Sequence, residues 1–268
     1  MNKFSLGKYL LPVYTVLAFI FLMIPIAYTF VFSFNDPFKN TTGWQGFTWD
    51  NWTGVCNNVD VCLAFGNSIL IATVATIVST ILGTMMAIAI NRYEFKFRSA
   101  TNLLLFLPLA TPEIVMGAGL AAQFLNVGVP KGIGTVIVAH ILFTLSFVVV
   151  TVKARIATLD PKLEEAGRDL YAPPFQVFRK ITFPLLLPGI MAAALLAFAL
   201  SFDDYIITAF NSGTEVTFPK FVFAAAVRGI PPEANVIGSA VFFLAIALVL
   251  VFQIGGARRR KKLAKLVK

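Results

Sequence analysis

Apolar residues in this chain come in long blocks, with most polar residues gathered between them. Six blocks, at roughly 10–33, 67–91, 101–125, 133–152, 185–209 and 235–256, reach the length of about 20 residues that a helix needs to cross a hydrocarbon layer. The pattern predicts an all-α polytopic membrane protein, a single transmembrane domain over residues 1–268 with six spanning helices. Lys3 and Lys8 precede the first block, as they would in a secretory signal. That block outruns a signal core of about 7–15 residues and no A-x-A cleavage site ends it, so it reads as a retained span.

Composition agrees with the pattern. The 268 residues are 58% hydrophobic and 13% charged, against about half and a quarter in soluble domains. Of the 22 Lys and Arg residues, 18 fall in the N-terminus, the 92–98 loop, the 153–184 loop and the C-terminal tail; only four, Lys39, Lys131, Lys220 and Arg228, fall in the alternate connections. Basic residues stay on the cytoplasmic side, so both termini are expected there. The tail, "ARRRKKLAKLVK", suits a stop-transfer anchor beside anionic lipid better than a nucleic-acid site, and the net charge of +9 has the same origin.

The external segment 34–66 carries Trp44, Trp49 and Trp52, rings that favour the water–lipid boundary. Cys56 and Cys62 lie there too, on the oxidising side, where a disulfide is the expectation and free thiols the alternative.

Several spans look packed against protein. Ala75, Ser79, Gly83 and Ala87 form a ridge of small side chains on one helix face. Pro108 and Pro112 predict that the third span is kinked or locally opened. His140, the single histidine, reads as a buried polar packing residue rather than a ligand. No phosphate-binding G-x-x-x-x-G-K-[ST] loop is present, and "GVPKGIG" (128–134) reads as an external turn. No nucleophile–base pair or metal cluster appears, so neither an enzyme nor a metal site is expected.

The connection between spans four and five, residues 153–184, reads as two short helices. Asp160 suits a cap and Pro161 the first helical position. Leu163, Ala166 and Leu170 share a face, with Glu164, Glu165, Arg168 and Asp169 largely off it. "YAPP" ends that helix, and a second starts near Pro174 with Phe175, Phe178 and Ile181 along one side. Such helices either lie on lipid or dock into a groove of a soluble partner.

This stretch resembles the EAA loop of bacterial ABC importer permeases: E-A-A, three residues, G, nine residues, I-x-L-P. Glu165-Ala166-Gly167 stands for the first part, Tyr171 for the glycine, and Ile181-Thr182-Phe183-Pro184 for the last. The spacing matches throughout; Gly167, Tyr171 and Phe183 depart from the pattern. "TPEIVMG", "LSFDDYIITAFNSG" and "RGIPPEANVIGSA" are similar to stretches of spermidine/putrescine permeases of the PotC type. The resemblance covers nearly everything from about residue 67 and is weakest over 34–66. It implies the MetI-like type I importer fold in a bacterial inner membrane. It implies a second homologous permease (PotB type), two copies of an ATPase (PotA type) that bind ATP and Mg, and an external substrate-binding protein (PotD type). The loop would be the coupling element, with Glu164, Glu165, Ala166, Gly167, Asp169, Tyr171, Ile181 and Pro184 at the ATPase. No cofactor would be held by this chain.

Three acids lie within the apolar blocks, Glu113, Asp203 and Asp204, and no Lys or Arg accompanies them there. A charge at the bilayer centre costs about 2.5–3.5 kcal/mol on insertion scales, so it persists where it faces a polar path or a partner. If both spans climb straight outward, Glu113 lies roughly 18 Å and Asp203 roughly 24 Å from the cytoplasmic edge. A polycation would neutralise them, with Phe202 and Tyr205 adding cation–π contacts. Adjacent helical residues point about 100° apart, so Asp203 and Asp204 share a path only if the helix opens; otherwise one caps a break or bonds to a neighbouring helix. The alternatives are a permease for another solute (amino acid, sugar or other organic cation) and a proton-coupled secondary transporter, which would have no need of an ATPase-docking loop.

Overall fold

The computed structural model describes residues 6–36, 43–227 and 229–266. Lys3, Lys39, Arg228 and Lys268, counted in the charge asymmetry, lie outside these residues, and the side chains of Lys8 and of the basic tail are likewise not described. In chain order the helices are α1 (Leu6–Phe32), α2 (Asp50–Thr53), α3 (Val59–Arg92), α4 (Arg98–Ala110), α5 (Glu113–Asn126), α6 (Ile133–Ile156), α7 (Lys162–Asp169), α8 (Pro174–Val177), a π turn (Phe178–Thr182), α9 (Phe183–Asp203), α10 (Ile206–Asn211), α11 (Phe218–Ala225) and α12 (Pro232–Leu266). The all-helical expectation holds. Among the described residues, five helices are long and apolar enough to cross a membrane, and the pair α4–α5 makes a sixth, bent, crossing candidate.

Two of the six blocks are interrupted, the third as its prolines predict and the fifth at Asp204. The third is not a straight climb: α4 and α5 meet at 108°. Thr111, which precedes Pro112, is extended (ψ 131°), as the proline ring requires, so the straight-line depth of Glu113 does not apply. The fifth block is one helix from Pro174 to Asp203, so the second loop helix and the span are continuous. Pro184 offers no N–H and would clash with the carbonyl four residues back; the π turn just before it supplies the extra residue that absorbs the misfit.

The described residues group into two compact units, Met1–Cys62 with Val222–Lys268, and Leu63–Phe221. In the first, α1 packs on α12, with Phe30 edge-on to Phe243 at 5.0 Å. The segment that follows α1 has a small core of its own. Phe34 stacks on Phe47 and Trp52 and meets Trp49 edge-on. Buried Asn51 donates to the Ser33 and Asn35 carbonyls at 3.1 and 2.9 Å, and Trp52 Nε1 donates to Ser33 Oγ. Trp49 and Trp52 therefore build local structure rather than acting only as boundary rings. Cys56 and Cys62 are joined by a disulfide.

In the second unit, α6 is the central element. Val148, Val149 and Val152 pack with Ala87 and Ile90 of α3, Leu105 of α4, and Ala193 and Ala197 of α9. The small-residue ridge of α3 is used here: Ala75, Ser79 and Ala87 are buried, and a Cβ on Gly83 would stand 2.6 Å from Val148 Cγ1 and 2.9 Å from Val148 Cβ. A β-branched side chain has little freedom to move aside. Gly83→Ala is therefore expected to destabilise the purified permease by about 1–3 kcal/mol, read as a lowered melting temperature in detergent; an unchanged value would mean that α3 and α6 separate easily.

Candidate functional site

Both helix breaks fall at the acids. At the first, the Thr111 N–H and hydroxyl both bond to the Leu107 carbonyl, ending α4 at 2.9 and 2.6 Å, and α5 begins at Glu113 directly after extended Pro112. Glu113 is exposed and sits in the first turn of α5, where the helix dipole favours negative charge. At the second, α9 ends on Asp203, Asp204 is extended (φ −68°, ψ 122°), and α10 starts two residues later.

The adjacent carboxylates are divided by this break. Asp203 is exposed and Asp204 is buried. Asp204 accepts from the N–H groups of Ile207 (3.3 Å) and Thr208 (2.9 Å) and from the Thr208 hydroxyl (3.2 Å), so it caps α10. Its Oδ1 also lies 3.2 Å from His140 Nε2. Asp204 thus leaves the set of path candidates, because its oxygens are engaged inside the protein. His140 is 1% exposed and ties both sides of the break to α6. Its Nδ1 is 2.7 Å from Ser201 Oγ and its Nε2 is 3.1 Å from Thr208 Oγ1. An ionised Asp204 only accepts; a neutral ring then meets the set with its proton on Nε2 and Nδ1 accepting from Ser201.

The helices that follow the two breaks are locked together. Asn211 donates to the Gly117 carbonyl at 3.1 Å, and the Thr135 hydroxyl donates to the Asn211 carbonyl at 2.8 Å. A Cβ on Gly117 would stand 3.3 Å from Ile207 Cα. Gly117 lies one turn beyond Glu113, and Ile207 one turn beyond Asp203, so this close approach couples the helices that leave the two breaks. Lys220 closes the turn after α10, donating to Ser212 Oγ and to the Gly213 and Glu215 carbonyls. Burial pushes its pKa down, and the Glu215 carboxylate pulls the other way.

Phe202 is half-buried and belongs to a ring cluster, stacked on Phe198 and Phe218 with Phe65 edge-on. Any cation–π role there is shared with that packing. Tyr205 is half-buried at the start of α10. Sequence reasoning missed Ser201, Thr208, Asn211 and Gly117 as partners of the site. The signal was present: Ser201, Asp204, Thr208 and Asn211 recur at intervals of three, four and three, one polar face of a helix.

The second site is the loop. Glu164 Oε1 accepts from Arg92 Nη2 and from Thr182 Oγ1, the latter at 2.7 Å, binding α7 to the end of α3 and to the π turn. Gly167 is buried against Ile181, whose Cδ1 would lie 2.7 Å from an added Cβ. Leu163, Ala166 and Leu170, the expected apolar face, point outward with Glu165 and Asp169; Leu170 is 82% exposed. Phe175 and Pro184 are also exposed, while Ile181 is half-buried. A cavity of about 250 Å³ opens between α7 and the ends of α3 and α6, lined by Arg92, Asp160, Glu164 and Arg168 among others.

Tyr171 corrects one expectation. Glycine at this place in the resembling pattern suggests a left-handed helix end, and tyrosine suggests a different cap, with the ring packing on the ATPase or on a neighbouring loop. Instead Tyr171 itself is left-handed (φ 58°). Its N–H bonds to the Arg168 carbonyl and that of Ala172 to the Gly167 carbonyl, the Schellman pattern with Tyr171 in the usual glycine place. The ring is 97% exposed. Tyr171→Gly is expected to stabilise the loop by about 1–2 kcal/mol by removing the left-handed penalty, measured as slower proteolysis at residues 170–174.

A family model described as "Binding-protein-dependent transport system inner membrane component" matches residues 79–257. The chain is similar to the spermidine/putrescine transport system permease protein PotC of Haemophilus influenzae, 34% identical over 235 residues that cover 87% of this chain and 91% of the relative. It is similar to the putrescine transport system permease protein PotI of Escherichia coli, 34% identical over 232 residues, 83% of this chain and 82% of the relative. It also shares its fold with a solved chain of a bacterial ABC transporter that imports alginate, with a TM-score of 0.62 at 17% identity, covering 95% of this chain and 96% of that one.

Proposed function

The chain belongs to the family of binding-protein-dependent transport system inner membrane components, and from that membership we propose that it is the membrane-spanning permease subunit of an ATP-driven importer of polyamines. Relatives named for spermidine and putrescine support this cargo. One structural observation carries it: two carboxylates, Glu113 and Asp203, are exposed at helix breaks within apolar blocks that hold no Lys or Arg. Such groups suit alkylammonium groups passing through the span. An anion permease would present the opposite charge.

The chain is a transport component, and ATP hydrolysis belongs to a separate subunit. In the proposed assembly this permease pairs with a second, homologous one, two ATPase copies bind ATP and Mg, and an external binding protein delivers the amine. In this reading both termini and the 153–184 loop face the cytoplasm, which the asymmetry of basic residues supports. The outward face of α7, with Leu163, Ala166 and Leu170 exposed beside Glu165 and Tyr171, meets the ATPase.

Uptake of labelled spermidine and putrescine into vesicles holding the complete complex tests this reading. ATP-dependent uptake should be displaced by unlabelled polyamine and not by choline, arginine or a sugar. Uptake driven equally by one of those competitors would reassign the cargo.

A further inference from the structure

His140 is absorbed by neither the cargo path nor the coupling loop, yet it is one of the largest fully buried side chains of the protein. Its three partners straddle the break in the fifth span: Ser201 lies one turn before it, while Asp204 and Thr208 lie at and after it. The other bonds of Asp204 run to Ile207 and Thr208, within its own segment. The cap of α10 would therefore survive the loss of His140. What would be lost is the attachment of the break to α6.

That attachment bears on Asp203. In an unbroken helix residue 207 lies beside residue 203, since positions four apart share a face. Here Ile207 is fully buried, packed with Ala139 and Phe143 of α6, and Asp203 is exposed. The break draws the following turn inward and leaves the carboxylate uncovered. We propose that His140 is a positioning residue, which holds the break open through Asp204, Ser201 and Thr208 and so keeps Asp203 exposed to the aqueous path. The inference rests on the reading of Asp203 as a cation-contacting group.

Thiol labelling tests it. The chain has two cysteines, bonded to each other, so Asp203→Cys introduces a single reactive thiol. The complete complex, assembled with cysteine-free partners, is treated with a water-soluble alkylammonium methanethiosulfonate. With His140 present, labelling should be rapid. In His140→Phe, which fills the space without bonding, it should slow by about tenfold, the effect of losing one or two buried hydrogen bonds. In His140→Gln, whose amide reaches the Nε2 position, it should stay within about threefold of the parent. Equal rates in all three proteins would overturn the proposal, and so would an equal loss in both variants. If His140→Phe does not assemble, Gln is compared with Asn, whose amide reaches only toward Ser201. Gln must then label faster; equal or reversed rates overturn the assignment. Spermidine protection of the thiol is scored separately: its absence counts against the polyamine cargo, while the dependence on residue 140 stands or falls alone.

Discussion

Asp203→Asn should lower polyamine uptake by about tenfold or more while the complex still assembles, and Asp204→Asn should act instead on stability and assembly. The two side chains are adjacent, and each change removes one charge with little change in shape. Asp203 is exposed, so its loss removes a charge-assisted hydrogen bond to the cargo, worth about 1.5–3 kcal/mol, and lowers the cost of holding a carboxylate in the span. Asp204 receives two N–H groups and a hydroxyl and faces His140. An amide there turns an NH₂ group toward one of those donors, which costs about 1–3 kcal/mol. Glu113→Gln should behave like Asp203→Asn. The longer polyamine, with more charges, should lose more than the shorter in both. Uptake is measured with binding-protein affinity unchanged, and assembly by size exclusion and melting temperature. Normal uptake in Glu113→Gln and Asp203→Asn would make both acids structural.

Glu165→Lys should detach or uncouple the ATPase from a permease that is otherwise intact. Glu165 is exposed on the outward face of α7, and substitutions at such positions change stability by about 0.5 kcal/mol or less. Its neighbour acts differently. Glu164 is bonded to Arg92 and Thr182, so Glu164→Lys sets two cations against each other and should loosen the loop before any partner is added. Co-purification and substrate-stimulated ATP hydrolysis report the first effect. Limited proteolysis of the permease alone between residues 153 and 184 reports the second. Unchanged, substrate-stimulated hydrolysis in Glu165→Lys would remove α7 from the contact.

Much of this was legible in the chain. The apolar blocks, the break at Pro112 in the third block and the ridge of small residues all appear in the sequence, and each has a counterpart in the structure. The loop was legible only in part. Its apolar positions face outward, as docking on lipid or on a partner requires, and the contact that holds α7 to the rest of the chain runs through Gly167 and the Glu164–Arg92 pair. An amphipathic pattern states that a helix has two faces; it does not state which one meets the rest of the chain.

What the sequence by itself determined was the setting: helices, their number to within the bent pair, and their burial in hydrocarbon. Transfer of a side chain into lipid depends on that side chain alone and adds up along a segment, so a running sum finds it. Only the tertiary structure decided which of two neighbouring aspartates is free. That choice depends on His140, 61 residues from Ser201 and 68 from Thr208, arriving from α6 with its two ring nitrogens at the break. A hydrogen bond needs both partners within about 3 Å, and no property of Asp203 or Asp204 taken alone contains that distance.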